Sequence, residues 1–482
     1  MPLPLALILV LAALLSVAWD LAVPAFQGPD EDAHFGYVQH LAETGRPPSP
    51  SSGNSSYSTQ EATLLKDLNL LSLRGDLGGR PAWSAADLAL WHQAEHQLPP
   101  GSSSNGDGPN ATGQNPPLYY ALMAIPYRVF AWLPLLKLLF VLRLFDALCF
   151  LATVSLTWLI AGEVFGRVRW KQTLAAGAVA LLPQLAFMSV VINSDGLLTA
   201  LTTAVLWMAL RMAIRGPTLG RVLAASGFTA AAVLTHGRGL VTVPVLGIAI
   251  LVAWIHHRPA LRDVAVQAGG AAATVGVAFV AYLLFVASGG SGGLYGGEVT
   301  TINTSRGFNL GQFLSSVYQF YFPKLPSLTP RIGPDYGYRQ VFINTFYATF
   351  GQLEVTFRQG VYDILQVASA LGLVAFYTAC VARWRALRRS WPAVAVMLAL
   401  LLTLLVALHY ISYRELLANG GVDPVIVGRY LLPMVSLFGL AIAFTVGSLP
   451  RRVGPFVGAA VLSAGLLLAL GGVGITAARF YA

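Results

Sequence analysis

Trp19-Asp20-Leu21-Ala22-Val23-Pro24-Ala25-Phe26-Gln27-Gly28-Pro29-Asp30-Glu31-Asp32-Ala33-His34-Phe35 carries the chain out of an apolar run at 2–23 and into three consecutive carboxylates. An apolar run of that length can span a bilayer. Charge held close to hydrocarbon is costly and usually serves a function. The first run lacks a basic segment ahead of it, so it is expected to stay as a membrane span and not to be removed as a leader.

The rest of the sequence has the same character. Of 482 residues, 56% are hydrophobic and 11% charged, which excludes an ordinary soluble enzyme. The net charge of +9 raises the question of a nucleic-acid partner. The basic residues, however, lie mostly in short loops between apolar runs, the pattern of membrane orientation, so none is expected. Cys149 and Cys380 fall inside apolar runs and predict no disulfide.

Eleven apolar runs are long enough to span: 2–23, 138–161, 173–190, 195–214, 219–235, 239–256, 264–287, 360–382, 391–411, 429–447 and 454–476. With a cytoplasmic N-terminus, Arg167/Arg169/Lys171, Arg211/Arg215/Arg221, Arg258/Arg262, Arg383/Arg385/Arg388/Arg389 and Arg451/Arg452 all fall inside. The same count places the acidic cluster, loop 24–137, loop 288–359 and the C-terminal tail outside. Pro116 to Leu133 is apolar too, but as a span it would invert every later loop. Its length and tyrosines predict an interfacial or re-entrant helix, with the tyrosines at headgroup level.

Within loop 24–137, the spacing of Phe35, Val38 and Leu41 predicts a short amphipathic surface helix over Ala33 to Thr44. Thr59 to Leu73 and Ser84 to Leu98 read as helices, the second with Ser84 as N-cap and Trp91 on its apolar face. Pro48 to Ser58 and Leu98 to Gly113 have the composition of mobile segments. Gly289 to Gly297 resembles a hinge.

Three groups of residues carry chemical potential. Asp30, Glu31 and Asp32 can supply a general base, a metal ligand or both, since crowded carboxylates hold a proton more tightly. Asp32 could equally cap the following helix. A divalent metal at this cluster, with His34 and His40 as nitrogen donors, is the one cofactor the residues admit. Asn193-Ser194-Asp195 forms a second outer signal, either a helix cap or a second acid. Arg143, Arg238 in Thr235-His236-Gly237-Arg238-Gly239, and Arg429 in Gly428-Arg429-Tyr430 stand at the outer ends of spans, against the orientation bias. Such arginines need an anionic partner. For Arg143 that could be Asp146, three residues on.

Pro29-Asp30-Glu31 with His34-Phe35, Asn115-Pro116-Pro117-Leu118-Tyr119-Tyr120, Arg143-Leu144, Asn193-Ser194-Asp195, Asn344-Thr345-Phe346-Tyr347 to Phe350-Gly351, and Gly428-Arg429-Tyr430-Leu431-Leu432-Pro433 resemble a family of bacterial multispan proteins. That family is grouped with the GT-C glycosyltransferases, which include protein O-mannosyltransferases, aminoarabinose transferases and mycobacterial arabinosyltransferases. The motifs run along nearly the whole chain. Each is short, and their order makes the set specific.

The resemblance implies a single all-α GT-C membrane domain over 1–482, with about eleven transmembrane helices and a long, helical first extracytoplasmic loop. It implies an inverting enzyme of the cytoplasmic membrane that moves a sugar from a polyprenyl-phosphate donor to a hydroxyl of a glycan, glycolipid or protein acceptor. Asp30 matches the family's acid, with Glu31 as runner-up and Asp195 as a second acid. Arg238, Arg429, Arg143 and His236 would hold the donor phosphate. His34, Tyr119, Tyr120, Tyr338, Arg339 and Tyr347 would face the acceptor, with loop 288–359 as cover. No soluble module is expected behind the last span. A transporter of lipid-linked sugars, or a non-catalytic partner in envelope glycan assembly, would use similar residues. A transporter would be expected to carry ionisable groups nearer mid-span than Asp20 and His409, together with repeat symmetry.

Overall fold

A computed structural model describes residues 1–49, 56–74, 76, 78–106, 110–288, 307–322, 325–327, 338–418 and 426–482, with backbone alone at 338–342, 415, 416 and 418. The architecture is all-α apart from one small hairpin, Thr349–Phe350 against Val355–Thr356. The first span is α1 (Leu3–Ala22), and the loop after it holds α2 (Glu31–Thr44), α3 (Thr59–Asp67), α4 (Ala85–His96) and α5 (Leu118–Val129). The bundle continues with α6 (Leu135–Val164), α7 (Arg169–Ala180), α8 (Pro183–Met188), α9 (Ser194–Arg215), α10 (Leu219–Thr235), α11 (Thr242–His257) and α12 (Leu261–Ala287). Then follow α13 (Leu310–Tyr321), α14 (Tyr338–Tyr347), α15 (Gln359–Ala382), α16 (Trp384–Arg389), α17 (Trp391–Ala418), α18 (Val435–Val446) and α19 (Gly454–Tyr481).

Among the described residues, eight helical segments are long and apolar enough to cross a membrane. The other three expected runs are helical as well, each with a departure. The run at 138–161 lies in α6, a 30-residue helix that carries the buried charges Arg143 and Asp146. That at 173–190 breaks between α7 and α8, where Pro183 offers no N–H to continue the ladder. At 219–235 lies α10, only 17 residues long.

Two interlocked ends fix the side on which the loop helices sit. Arg80 donates from Nε and Nη2 to the Ala482 carbonyl at 3.0 and 2.9 Å, and Arg479 donates to the carbonyls of Gly79 and Asp76 at 2.8 and 2.9 Å. The end of α19 therefore lies on the same side as the loop after α1.

The loop helices depart from expectation in one informative way. α2 is no surface helix, because residues 31–40 are all buried. Phe35 packs on Phe26 and Tyr127, Tyr37 stacks on Tyr120 with ring centroids 3.6 Å apart, and Gln39 is hydrogen-bonded to Gln60 and Tyr127. The loop thus folds over its own helix. α3 stops at Asp67, before the expected end at Leu73, with Asn69 in the left-handed region at φ 56°. Ser84 caps α4 in a reciprocal box with Asp87, and Trp91 is fully buried. Of the segments expected to be mobile, 50–55 and 107–109 lie outside the described residues. Ser102 and Asn105 are hydrogen-bonded to the start of α3. The glycine run 289–297 also lies outside them.

Candidate active site

The turn from α1 into α2 is tightly held. A Cβ on Gly28 would sit 2.5 Å from Val191 Cγ1, so only glycine admits this approach. Asp30, not Asp32, occupies the N-cap position of α2, in the left-handed region at φ 57°, and its side chain makes no capping bond. Few non-glycine residues adopt that conformation, and it often marks functional positions.

The three carboxylates then diverge. Glu31 is fully buried and clasped by Arg143, with Nε–Oε1 at 2.7 Å and Nη2–Oε2 at 2.6 Å, and it also accepts from the Ile192 backbone N–H at 3.3 Å. Asp32 is buried between Arg74, 2.8 Å away, and the hydroxyl of Tyr57. The side chain of Asp30 is 63% exposed, and its only ion pair among the described residues is a loose one of 3.7 Å to Arg429 Nη2. The cluster therefore does not form the converging cage a divalent ion requires. Among the described residues no group of three or more His, Cys, Asp or Glu side chains is placed to hold a metal.

Arg143 is not free to bind a ligand. Besides Glu31 it donates to the carbonyls of Val23 and Pro24 at 2.8 and 2.9 Å, and it lies 3.6 Å from Asp20. The expected pairing with Asp146 is replaced by this longer-range set.

Arg238 and Arg429 are placed differently. Each begins a short 3-10 turn that leads into a membrane helix, Gly237–Val241 before α11 and Gly428–Met434 before α18. A Cβ on Gly239 would lie 1.9 Å from the Ala232 carbonyl oxygen, so glycine is required for this turn to fold back on α10. Gly428 N–H donates to Thr345 Oγ1 at 2.6 Å, which ties the second turn to α14. Both guanidinium groups lie over the Tyr430 ring, at 4.6 and 5.5 Å from its centroid. Arg238 is paired with Asp195, whose helix is capped by Asn193 and not by Ser194 or Asp195 itself. The Nε and Nη1 atoms of Arg238 and Arg429 are buried and make no hydrogen bond among the described residues. Two cations, each at least nine-tenths buried and each with donors unsatisfied, amount to a standing demand for an anion.

Two histidines complete the wall. His34 Nδ1 is 2.8 Å from the Tyr120 hydroxyl, and its surroundings include Asp30, Asp195 and Asp32, with Arg429 opposing them. Burial outweighs these carboxylates and pushes its pKa down to about 4, so the ring is neutral near pH 7. His236 accepts the Arg238 backbone N–H at Nδ1, 3.0 Å away. Burial, with the Arg238 charge added, lowers its pKa to about 3.

Several expected acceptor residues lie elsewhere. Tyr119 and Tyr120 point into the core, and burial pushes both phenols above their usual range. The face that α5 leaves exposed carries Leu122, Ile125 and Val129. Tyr347 bonds Ser369 on α15 at 2.8 Å. The side chains of Tyr338 and Arg339 lie outside the described residues. Tyr430, Thr345 and Asn193 lie within motifs that the sequence marks, but no role was assigned to them there. The Tyr57–Arg74 pair is an addition that nothing local marks.

Spans, a folded loop and a charged site at the membrane boundary define a multi-pass membrane protein. Residues 13–438 match the family described as "Predicted membrane protein (DUF2142)", and the chain belongs to it. No curated protein matches the sequence significantly. Among solved structures, ArnT from Cupriavidus metallidurans bound to undecaprenyl phosphate is similar at TM-score 0.46 and 13% identity, over 96% of this chain and 64% of that one. The archaeal oligosaccharyltransferase AglB from Archaeoglobus fulgidus, in complex with an inhibitory peptide and a dolichol-phosphate, is similar at TM-score 0.48 and 13% identity, over 99% of this chain and 56% of that one. The chain therefore spans less than two thirds of either protein's length.

Proposed function

We propose that this chain is an inverting GT-C glycosyltransferase of the cytoplasmic membrane, which moves a sugar from a polyprenyl-phosphate donor to a hydroxyl of a cell-envelope glycan, glycolipid or protein on the extracytoplasmic face. One observation carries the reading. An exposed carboxylate, Asp30, stands 3.7 Å from the buried guanidinium of Arg429, which shares the Tyr430 ring with that of Arg238, and both arginines have unsatisfied donors.

Asp30 accepts the proton of the acceptor hydroxyl. The acceptor oxygen attacks the anomeric carbon from the face opposite the phosphate, and the carbon–oxygen bond to the phosphate breaks. The electron pair leaves with the polyprenyl phosphate, whose charge Arg238 and Arg429 stabilise. Asp195 holds Arg238 in place, and His236 orients the turn that carries it. Neutral His34, braced by Tyr120, orients the acceptor beside Asp30. Glu31 and Arg143 shape the turn and do not touch substrate. No step passes through a metal.

The test is incubation of purified protein with a panel of radiolabelled polyprenyl-phosphate sugars, with and without candidate acceptors, alongside Asp30→Asn. Release of one sugar by the wild type alone supports the reading. Equal release by both proteins sinks it. Transport of a lipid-linked sugar into vesicles with no release would favour a carrier instead.

A further inference from the structure

α13 turns large apolar side chains away from the bundle, which a helix at a water-facing surface does not. Its buried residues are Ser315, Ser316, Gln319 and Phe320. Gln312 accepts from Tyr413 on α17 at 3.0 Å, and Tyr321 meets His409 at 2.9 Å. The opposite face presents Leu310 and Leu314, one turn apart and both exposed, flanked by exposed Phe308 and Phe322. A soluble amphipathic helix turns its apolar stripe inward. The inner face carries Ser315, Ser316 and Gln319 among Phe313 and Phe320, so α13 is apolar on its outer side as well, and polar groups kept to the protein side with leucine and phenylalanine outward suit a helix solvated by hydrocarbon.

The exposed face has a neighbour that says what covers it. Along α17, the exposed residues Leu398, Leu402, Val406 and Tyr410 recur every four positions, the lipid-facing row of a membrane span. Phe308 lies 6.1 Å from Tyr410 and 5.8 Å from Tyr413, centroid to centroid, so the outer face of α13 continues that row. Tyr318 stacks on Phe322 at 5.0 Å, adding an amphipathic aromatic at the same level.

We propose that α13 is immersed in the membrane, in the leaflet on the Asp30 side, with acyl chains against Leu310 and Leu314. This inference stands apart from the transferase reading. It makes part of the segment between α12 and α15, which the sequence predicts as a cover over the acceptor, a lipid-anchored element.

The experiment places a single cysteine at Leu310→Cys or Leu314→Cys in a Cys149→Ala, Cys380→Ala background. An environment-sensitive fluorophore is attached, and the protein is reconstituted into phosphatidylethanolamine–phosphatidylglycerol vesicles. Ala86→Cys, exposed on α4, is the aqueous reference. Doxyl-labelled lipid should quench the α13 labels several-fold more than the Ala86 label, and iodide should show the reverse order. Iodide quenching equal to the reference, without lipid quenching, would overturn the proposal. Protection from both quenchers would overturn it too, by showing that protein covers this face. The two positions are read separately, so misfolding of one variant leaves the other to decide.

Discussion

Arg143 and Glu31 form a two-pronged ion pair in the core, 112 residues apart in sequence, with both side chains fully shielded from solvent. Their pairing anchors the turn in which Asp30 is held at positive φ and turned outward. The two neighbouring acids thereby part: Glu31 is locked in a buried pair, and Asp30 faces outward, where the proposed function makes it the base.

Asp30→Asn should abolish transfer while leaving the melting temperature close to wild type, because its side chain is mostly exposed and only loosely paired. Glu31→Gln should lose stability as well, by about 3–5 kcal/mol, since it strands a buried guanidinium. Thermal unfolding and sugar release measured on both variants check this. An inactive but fully stable Glu31→Gln would move the base to Glu31.

Arg238→Ala and Arg429→Ala should each weaken binding of polyprenyl phosphate. A hydrogen bond to a charged group is worth about 1.5–3 kcal/mol, which corresponds to roughly 10- to 150-fold in affinity. Titration of the purified proteins with the lipid phosphate measures it. Unchanged affinity in both would remove the phosphate subsite.

His34 should make the fold less stable in acid. Its folded pKa, lowered to about 4 by burial, lies below the unfolded value of 6.5. The unfolded state therefore binds the proton first, and stability falls as pH drops from about 6.5 towards 4. Between pH 7 and pH 5, His34→Gln should show a smaller fall in melting temperature than wild type. Parallel curves would contradict the neutral assignment.

Glu61 works in the opposite direction. This carboxyl is fully buried, with neither oxygen hydrogen-bonded among the described residues, and burial followed by repulsion from Asp32 raises its pKa well above the usual 4.5. The folded state holds its proton longer, so stability is lost as pH rises through the raised value. Glu61→Gln should match wild type in acid and exceed it in alkali. Denaturation curves at pH 5 and pH 9 would show whether the gain is there.

The ends of the bundle put the loop after α1 and the end of α19 on one side, and the proposed orientation makes that side extracytoplasmic. In a background lacking the native thiols, an impermeant reagent applied to intact cells should modify Ala86→Cys and spare Ala386→Cys, which is exposed on α16. The reverse pattern would invert the proposed orientation.

The spans were legible in the sequence because hydrophobic length is a local property, readable one window at a time. Asp30, Asp195, Arg238 and Arg429 stood out as candidates for a related reason: charge at the end of an apolar run is conspicuous wherever the chain goes next. Which charge meets which was not. Arg143 passes over Asp146 on its own helix for Glu31, and Arg238 reaches Asp195 across 43 residues. The burial of α2 depends on α3 and α5 closing over it, and the outward face of α13 depends on where α17 stands. Local composition states what a segment must bury. The partner that buries it, and so which of three adjacent carboxylates is left facing solvent, is set by long-range packing that no single window of sequence contains.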